Sequence, residues 1–240
     1  VDAVLEVRGL VKRYGELEAV KGIDFTVSPG EIFGLIGPNG AGKTTTLRIV
    51  ATILKPSAGS VTVGGLDVVT QADEVREHIS YLPEEAGAYK QMRGNDYLRF
   101  MAEIFYSDKK RQAEAIGIAE EVAGLDDRLK DKVGTYSKGM TRKLLLARSI
   151  MTRPTLAILD EPTSGLDVLN AMDIRDTVRS FAAQGMGVLL SSHNMLEIEF
   201  LSDRVGIIHQ GRIHEVGTPT ELKDKYHAAS LETVFAEVAR

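Results

Sequence analysis

The chain has 240 residues; against a soft prior of roughly 150 per domain it holds one large or two small domains with a sizeable core, which excludes a peptide-sized or disulfide-stapled scaffold. Lys and Arg number 29 against 34 Asp and Glu, a formal net charge of −5, with 26% charged and 43% hydrophobic residues; this is a globular composition that offers no overall attraction to nucleic acid or anionic membrane. The absence of cysteine removes structural disulfides, thiolate metal sites and cysteine nucleophiles, and fits a reducing compartment.

Val4 to Val11 and Ala19 to Val27 read as extended segments, the second closed by the turn signal Ser28-Pro29-Gly30. Glu31 to Gly37 is a short, mostly apolar run of the kind buried on both faces of a parallel sheet, and it feeds a Gly-rich turn and then a helical pattern. Gly59 to Val69 and Ile79 to Leu82 are β-rich, the latter stopped by Pro83. From Asn95 to Thr152 strand signals vanish, while Leu98, Met101, Ala102 and Phe105, and then Ala115, Ile118, Ala119 and Val122, fall at the spacing of one helical face. Strand–helix alternation returns with Leu156 to Leu159, a helix over Val168 to Gln184, a strand over Val188 to Ser191 and a helix from Asn194 to Leu201. A hairpin follows, Arg204 to Ile208 and Arg212 to Val216 around Gln210-Gly211, and then two short helices near Glu221 and Glu232. An α/β core thus brackets a helical insertion.

No apolar run approaches the ~18 residues that span a bilayer. At the N-terminus Asp2, Glu6 and Arg8 interrupt the apolar residues, so that segment lacks the character of a signal peptide and a cytosolic location is expected.

Gly37-Pro38-Asn39-Gly40-Ala41-Gly42-Lys43-Thr44 fits G-x-x-x-x-G-K-[ST], and it stands between a predicted strand and a predicted helix, as that phosphate-binding motif requires. Glycines let successive N–H groups point at phosphate oxygens, and the helix N-terminus adds the positive end of its dipole. Lys43 would bridge the terminal phosphates, Thr44 would place its hydroxyl on Mg²⁺, and Thr45 would contact an inner phosphate. The cation also needs a carboxylate. Leu156-Ala157-Ile158-Leu159-Asp160-Glu161 sets two acids where an apolar strand ends, with Asp160 the metal partner. If the strand persists, Glu161 points the other way, placed to orient or deprotonate a water attacking the γ-phosphate.

With those motifs fixed, Tyr136-Ser137-Lys138-Gly139-Met140 before a helix, Ser164-Gly165-Leu166-Asp167 after the acids and Ser191-Ser192-His193 after the next strand complete a set. In motif order and spacing, over about residues 4 to 220, the sequence resembles the ATP-binding subunits of ATP-binding-cassette (ABC) transporters, and is most similar to the stand-alone ATPase subunits of ABC-2-type exporters. The resemblance implies a P-loop NTPase core with a mainly parallel sheet, an N-terminal antiparallel β subdomain and an inserted helical subdomain. It implies a nucleotide-binding domain over 1–220, with the insertion at about 84–152, and a helical extension over 221–240. By the same resemblance Ser137, Lys138, Gly139 and Met140 form the signature whose helix caps the γ-phosphate of ATP held by a second subunit, a role suited to Ser137 as N-cap and to Gly139 at a close approach. Asp167 would organise the dimer face and His193 would contact the γ-phosphate. Tyr14 matches the aromatic that stacks on adenine, although a core-packing tyrosine reads nearly as well.

The sequence departs from the family pattern at three positions. Glu84 stands where a neutral glutamine normally meets Mg²⁺ and the attacking water; a carboxylate keeps the acceptor oxygens and adds charge, which either tightens the metal or repels the γ-phosphate. Lys138 replaces a glycine and Met140 a glutamine. The resemblance further implies a homodimer binding two Mg·ATP, separate transmembrane permease subunits, a cytoplasmic position on the inner face of the cell membrane, no nucleic-acid partner, and export as the direction. The alternative is a soluble ATPase of the same family in translation or DNA repair, though those usually carry two cassettes or long coiled-coil insertions. A P-loop phosphotransferase has no reason to combine the signature with His193, and the presence of Glu161 and His193 weakens the reading of a regulatory module without turnover.

Overall fold

The computed structural model describes residues 2–239. The chain opens with the antiparallel pair β1 (Leu5–Tyr14) and β2 (Leu17–Val27), followed by β3 (Ile32–Ile36) and α1 (Lys43–Val50). The first hairpin runs further than its apolar pattern predicts, because Gly15 at φ 58° turns the chain tightly. The β-rich stretch divides at Gly64-Gly65 into β4 (Ala58–Val63) and the two-residue β5 (Leu66–Asp67). An unpredicted helix, α2 (Ala72–His78), then leads into β6 (Ile79–Leu82).

The helical block contains α3 (Gly94–Phe105), α4 (Lys109–Ala123), two 3₁₀ turns and α5 (Lys138–Ile150). Leu98, Ala102, Ala115 and Ala119 are buried as their spacing predicts, whereas Phe105 faces out and Met101, Ile118 and Val122 are half-buried, since the shared face is narrower than the apolar pattern. Beyond it come β7 (Leu156–Asp160), α6 (Val168–Ala183), β8 (Gly187–Ser192), α7 (Met195–Leu201), the hairpin β9 (Arg204–His209) and β10 (Arg212–Gly217), then α8 (Pro219–Lys225) and α9 (Leu231–Val238). Leu222, Leu231 and Val234 are buried in the main core, so the last two helices pack on the body of the protein. Among the described residues no helix is long and apolar enough to cross a membrane.

Two sheets result. A four-stranded antiparallel sheet has the order β2-β1-β4-β5, and a six-stranded sheet has the order β10-β9-β3-β8-β7-β6, parallel except for β10. The central strands are apolar on both faces because each face meets a different core. Ile32, Ile36, Ala157, Leu159, Val188 and Leu190 turn toward the helical block, while Phe33, Leu35, Leu156, Ile158 and Leu189 turn toward α1 and the antiparallel sheet. Phe33 stacks on Phe25 of β2 at 5.0 Å between centroids. Because β3, β8, β7 and β6 are parallel neighbours, their carboxyl ends open along one edge. There Ile36 is level with Ser192, Asp160 with Ser191 and Leu82 with Leu159.

Candidate active site

The turn after β3 is forced by its glycines. Gly42 has φ +109° and a Cβ there would lie 2.7 Å from the carbonyl oxygen of Ala19, so no other residue fits the entry to α1. Lys43 follows as the first residue of α1. Its ammonium is folded back on its own loop, donating to the carbonyls of Gly37 (2.6 Å) and Pro38 (3.1 Å). Burial lowers its pKa and the carboxylates of Glu161, Asp160 and Glu84 counter that effect. Those three acids thus face the lysine electrostatically, as a cation beside a polyanion site requires. Asn39, Gly40, Gly42, Lys43, Thr44 and Thr45 line a small cleft of about 130 Å³ with Glu84 and Glu161. A larger cavity of about 560 Å³ lies along α4 beside Met151 to Arg153, far from this chemistry.

From the neighbouring strands come the acids. Asp160, buried at the end of β7, accepts from the hydroxyls of Ser191 on β8 (2.5 Å) and Thr44 on α1 (3.3 Å). A hydroxyl and a carboxylate oxygen side by side are the hard donors that Mg²⁺ takes. Among the described residues no cluster of three or more His, Cys, Asp or Glu side chains is placed to hold a metal by itself. A cation here would therefore share its shell with phosphate oxygens, the usual arrangement for Mg²⁺.

Glu161 departs from the extended geometry expected of it. The strand ends at Asp160, and Glu161 turns into the left-handed region at φ 48°, a strain of about 1–3 kcal/mol for a residue with a Cβ. The turn brings its buried carboxylate to β8, where Oε2 accepts from Ser192 Oγ (3.3 Å) and Oε1 lies 2.9 Å from Nδ1 of His193. The acid and the histidine form a pair, and His193 is half-exposed at the mouth of the site.

On the other side, Ser137 caps α5, its hydroxyl accepting from the N–H of Met140 at 3.2 Å. Gly139 is buried against Asn170 of α6, where an added Cβ would collide with the side-chain amide. Asn170 in turn donates its side chain to Asp167 (2.6 Å), and Asp167 caps α6. Its carboxyl is held below its ordinary value by the main-chain N–H of Asn170 and then by the Asn170 amide. Lys138 is exposed with its ammonium against Gly165. Glu84 is exposed and accepts from Ser164 Oγ at 3.4 Å. Tyr14 is 46% exposed at the end of β1, which removes the core-packing reading; the Lys12 ammonium stands 5.0 Å from its ring centroid.

Arg142 of α5 is the residue that motif reading passes over. Its guanidinium is buried and donates to main-chain carbonyls of both the β6 and β7 loops. Burial lowers its pKa to about 10, leaving it charged at neutral pH. Helical spacing carries the signal, since Arg142, Leu145 and Ser149 share one buried face.

Residues 20–164 match the model of the family described as ABC transporter. The chain is 38% identical over 223 residues to the linearmycin resistance ATP-binding protein LnrL of Bacillus subtilis (strain 168), covering 91% of this chain and 70% of that protein. It is 36% identical over 239 residues to the daunorubicin resistance ATP-binding protein DrrA3 of Streptomyces coeruleorubidus, covering 100% and 76%. A solved structure described as the ATP binding subunit of an ABC transporter superposes with a TM-score of 0.87 at 28% identity, covering 98% of this chain and 99% of the other.

Proposed function

Because this chain belongs to the ABC transporter family and is an ATP-hydrolysing subunit that drives transport, we propose that two copies close head to tail on two Mg·ATP and reopen after hydrolysis, driving export through separate membrane subunits. The observation that carries the reading is the convergence of Lys43, Thr44, Asp160, Glu161 and His193 at the carboxyl ends of three adjacent strands.

Within one copy, the phosphate loop from Gly37 to Thr45, including Pro38 and Ala41, wraps the phosphates while Tyr14 stacks on the base. Lys43 leaves its loop carbonyls for the terminal phosphates. Thr44, Asp160 and Glu84 would supply oxygen ligands for Mg²⁺, which would neutralise phosphate charge. Glu161 accepts the proton of the attacking water, and His193 holds its carboxylate in line. The partner copy contributes Ser137 to Met140 at the N-terminus of α5, and Asp167 beside it, so that each nucleotide touches both chains. A two-fold axis pairs identical surfaces, and ATP favours the closed dimer because only that form offers both sets of contacts.

Output passes to the membrane subunits through the helical block, where Tyr89, Phe100, Ile104 and Phe105 are exposed and Tyr89 meets Phe100 edge-on at 5.8 Å. An apolar patch of this kind suits a protein partner. The chain then sits on the inner face of the cell membrane. The names of the two resistance relatives support outward transport of a toxic compound, and they favour the transporter over a soluble role in translation or repair.

Glu161→Gln tests the chemistry. The variant should bind ATP as tightly as the wild type while phosphate release falls by about 10²–10⁴-fold, the usual worth of a positioned general base. Wild-type phosphate release would remove Glu161 from that role.

A further inference from the structure

A guanidinium presents five N–H donors in a rigid fork. In Arg142 none is left over. Nε donates to the carbonyl of Pro162 (2.7 Å), Nη2 to those of Asp160 (2.9 Å) and Glu161 (3.0 Å), and Nη1 to those of Pro83 (2.9 Å) and Glu84 (3.2 Å). The first three acceptors are consecutive in the chain and surround the peptide units on either side of Glu161. The other two belong to the loop that carries Glu84. Both loops begin where their strands stop, β7 at Asp160 and β6 at Leu82; past those points the Glu161 N–H still donates to the Ser191 carbonyl on β8 (3.1 Å), while the carbonyls of both loops turn to Arg142.

A non-glycine residue in the left-handed region persists only when its surroundings over-determine it. At Glu161 the carbonyls before, at and after the strained residue are all tied to one planar group. We infer that Arg142 is a positioning residue for ATP hydrolysis, clamping the backbone around Glu161 and the Glu84 loop in one register from helix α5. The inference rests on the proposed role of Glu161. It also makes α5 serve both sites, because the helix whose first turn, Ser137 to Met140, is proposed to reach the partner's nucleotide holds this chain's own base one turn later. A shift of α5 is therefore delivered to both loops together.

Lysine keeps the charge and most of the length but concentrates its donors at one point, and glutamine keeps a single amide fork. Neither spans both loops. For the purified full chain, Arg142→Lys and Arg142→Gln are each compared with the wild type in steady-state phosphate release, binding of a fluorescent ATP analogue and amide hydrogen exchange. Both variants should lose about a hundredfold in kcat, the scale of a displaced catalytic group, with KM and the analogue's Kd unchanged because the phosphate loop on α1 is untouched. Exchange should rise in the β6 and β7 loops together and stay at the wild-type level in the phosphate loop.

Wild-type kcat in a variant that binds nucleotide normally would overturn the inference. So would loss of turnover in proportion to nucleotide binding, or a lysine variant that no longer folds, since either makes Arg142 a determinant of stability alone. Glu161→Gln separates the two readings. It should lower turnover by about 10²–10⁴-fold with wild-type exchange in both loops, whereas full activity in that variant would remove the base assignment and leave the exchange result on Arg142 standing.

Discussion

Asp167 shows how one side chain caps a helix and stands in the proposed site at once. Its carboxylate caps α6 and, through Asn170, sits behind the signature glycine Gly139. Because the folded state holds the carboxyl below its ordinary 3.8, the folded chain takes up its proton less readily than the unfolded chain. The stability contributed by this group is fully present above that value and is lost as the pH falls through the lowered folded-state value. Asp167→Asn keeps an acceptor for the cap and has nothing to titrate. Its melting temperature should fall less steeply than that of the wild type as acid is added below pH 4, measured by circular dichroism on both proteins; parallel curves would contradict the shift. The resemblance to transporter ATPases is what proposes Asp167 for the dimer face, and the cap adds a local reason for an acid there. Glu161 is the counterexample. Strand alternation places it opposite Asp160, and the chain instead turns at that residue, which no periodicity can announce because the turn is held by carbonyl contacts to Arg142 from a helix elsewhere in the chain.

Elements are legible in the sequence where local signals and burial agree. β3 reads as a strand because Ile32, Phe33, Leu35 and Ile36 are wanted by two cores at once, and α5 reads as a helix from Ser137 because its hydroxyl satisfies an exposed N–H. α2 escapes such reading because it buries only Val75, too little for an apolar stripe, and β5 because two residues carry no pattern. In the helical block the shared face narrows to Leu98 and Ala102 on α3 and to Ala115 and Ala119 on α4, both packed toward α5. Leu98 is fully buried, so Leu98→Ala should destabilise the protein by about 2–5 kcal/mol. Urea unfolding measures that loss, and a change below about 1 kcal/mol would mean that the block is packed too loosely for the cavity cost of a buried leucine. Nucleotide affinity should remain, since the phosphate loop belongs to the other core.

At the scale of the whole molecule, the parallel edge of one sheet gathers the groups proposed to handle phosphate, water and metal. The N-termini of α5 and α6 stand beside them with the groups proposed to meet a second copy. In the proposed dimer half of each ATP site would lie on each chain, which would make nucleotide binding and dimerisation one equilibrium. The most direct measurement is sedimentation of the Glu161→Gln variant, with and without saturating Mg·ATP, both alone and held by its membrane subunits. The expected result is a monomer without nucleotide that becomes a dimer with it, and closed pairing in the assembly. A chain that stays monomeric at saturation and also fails to pair when held by its membrane subunits would contradict the shared site.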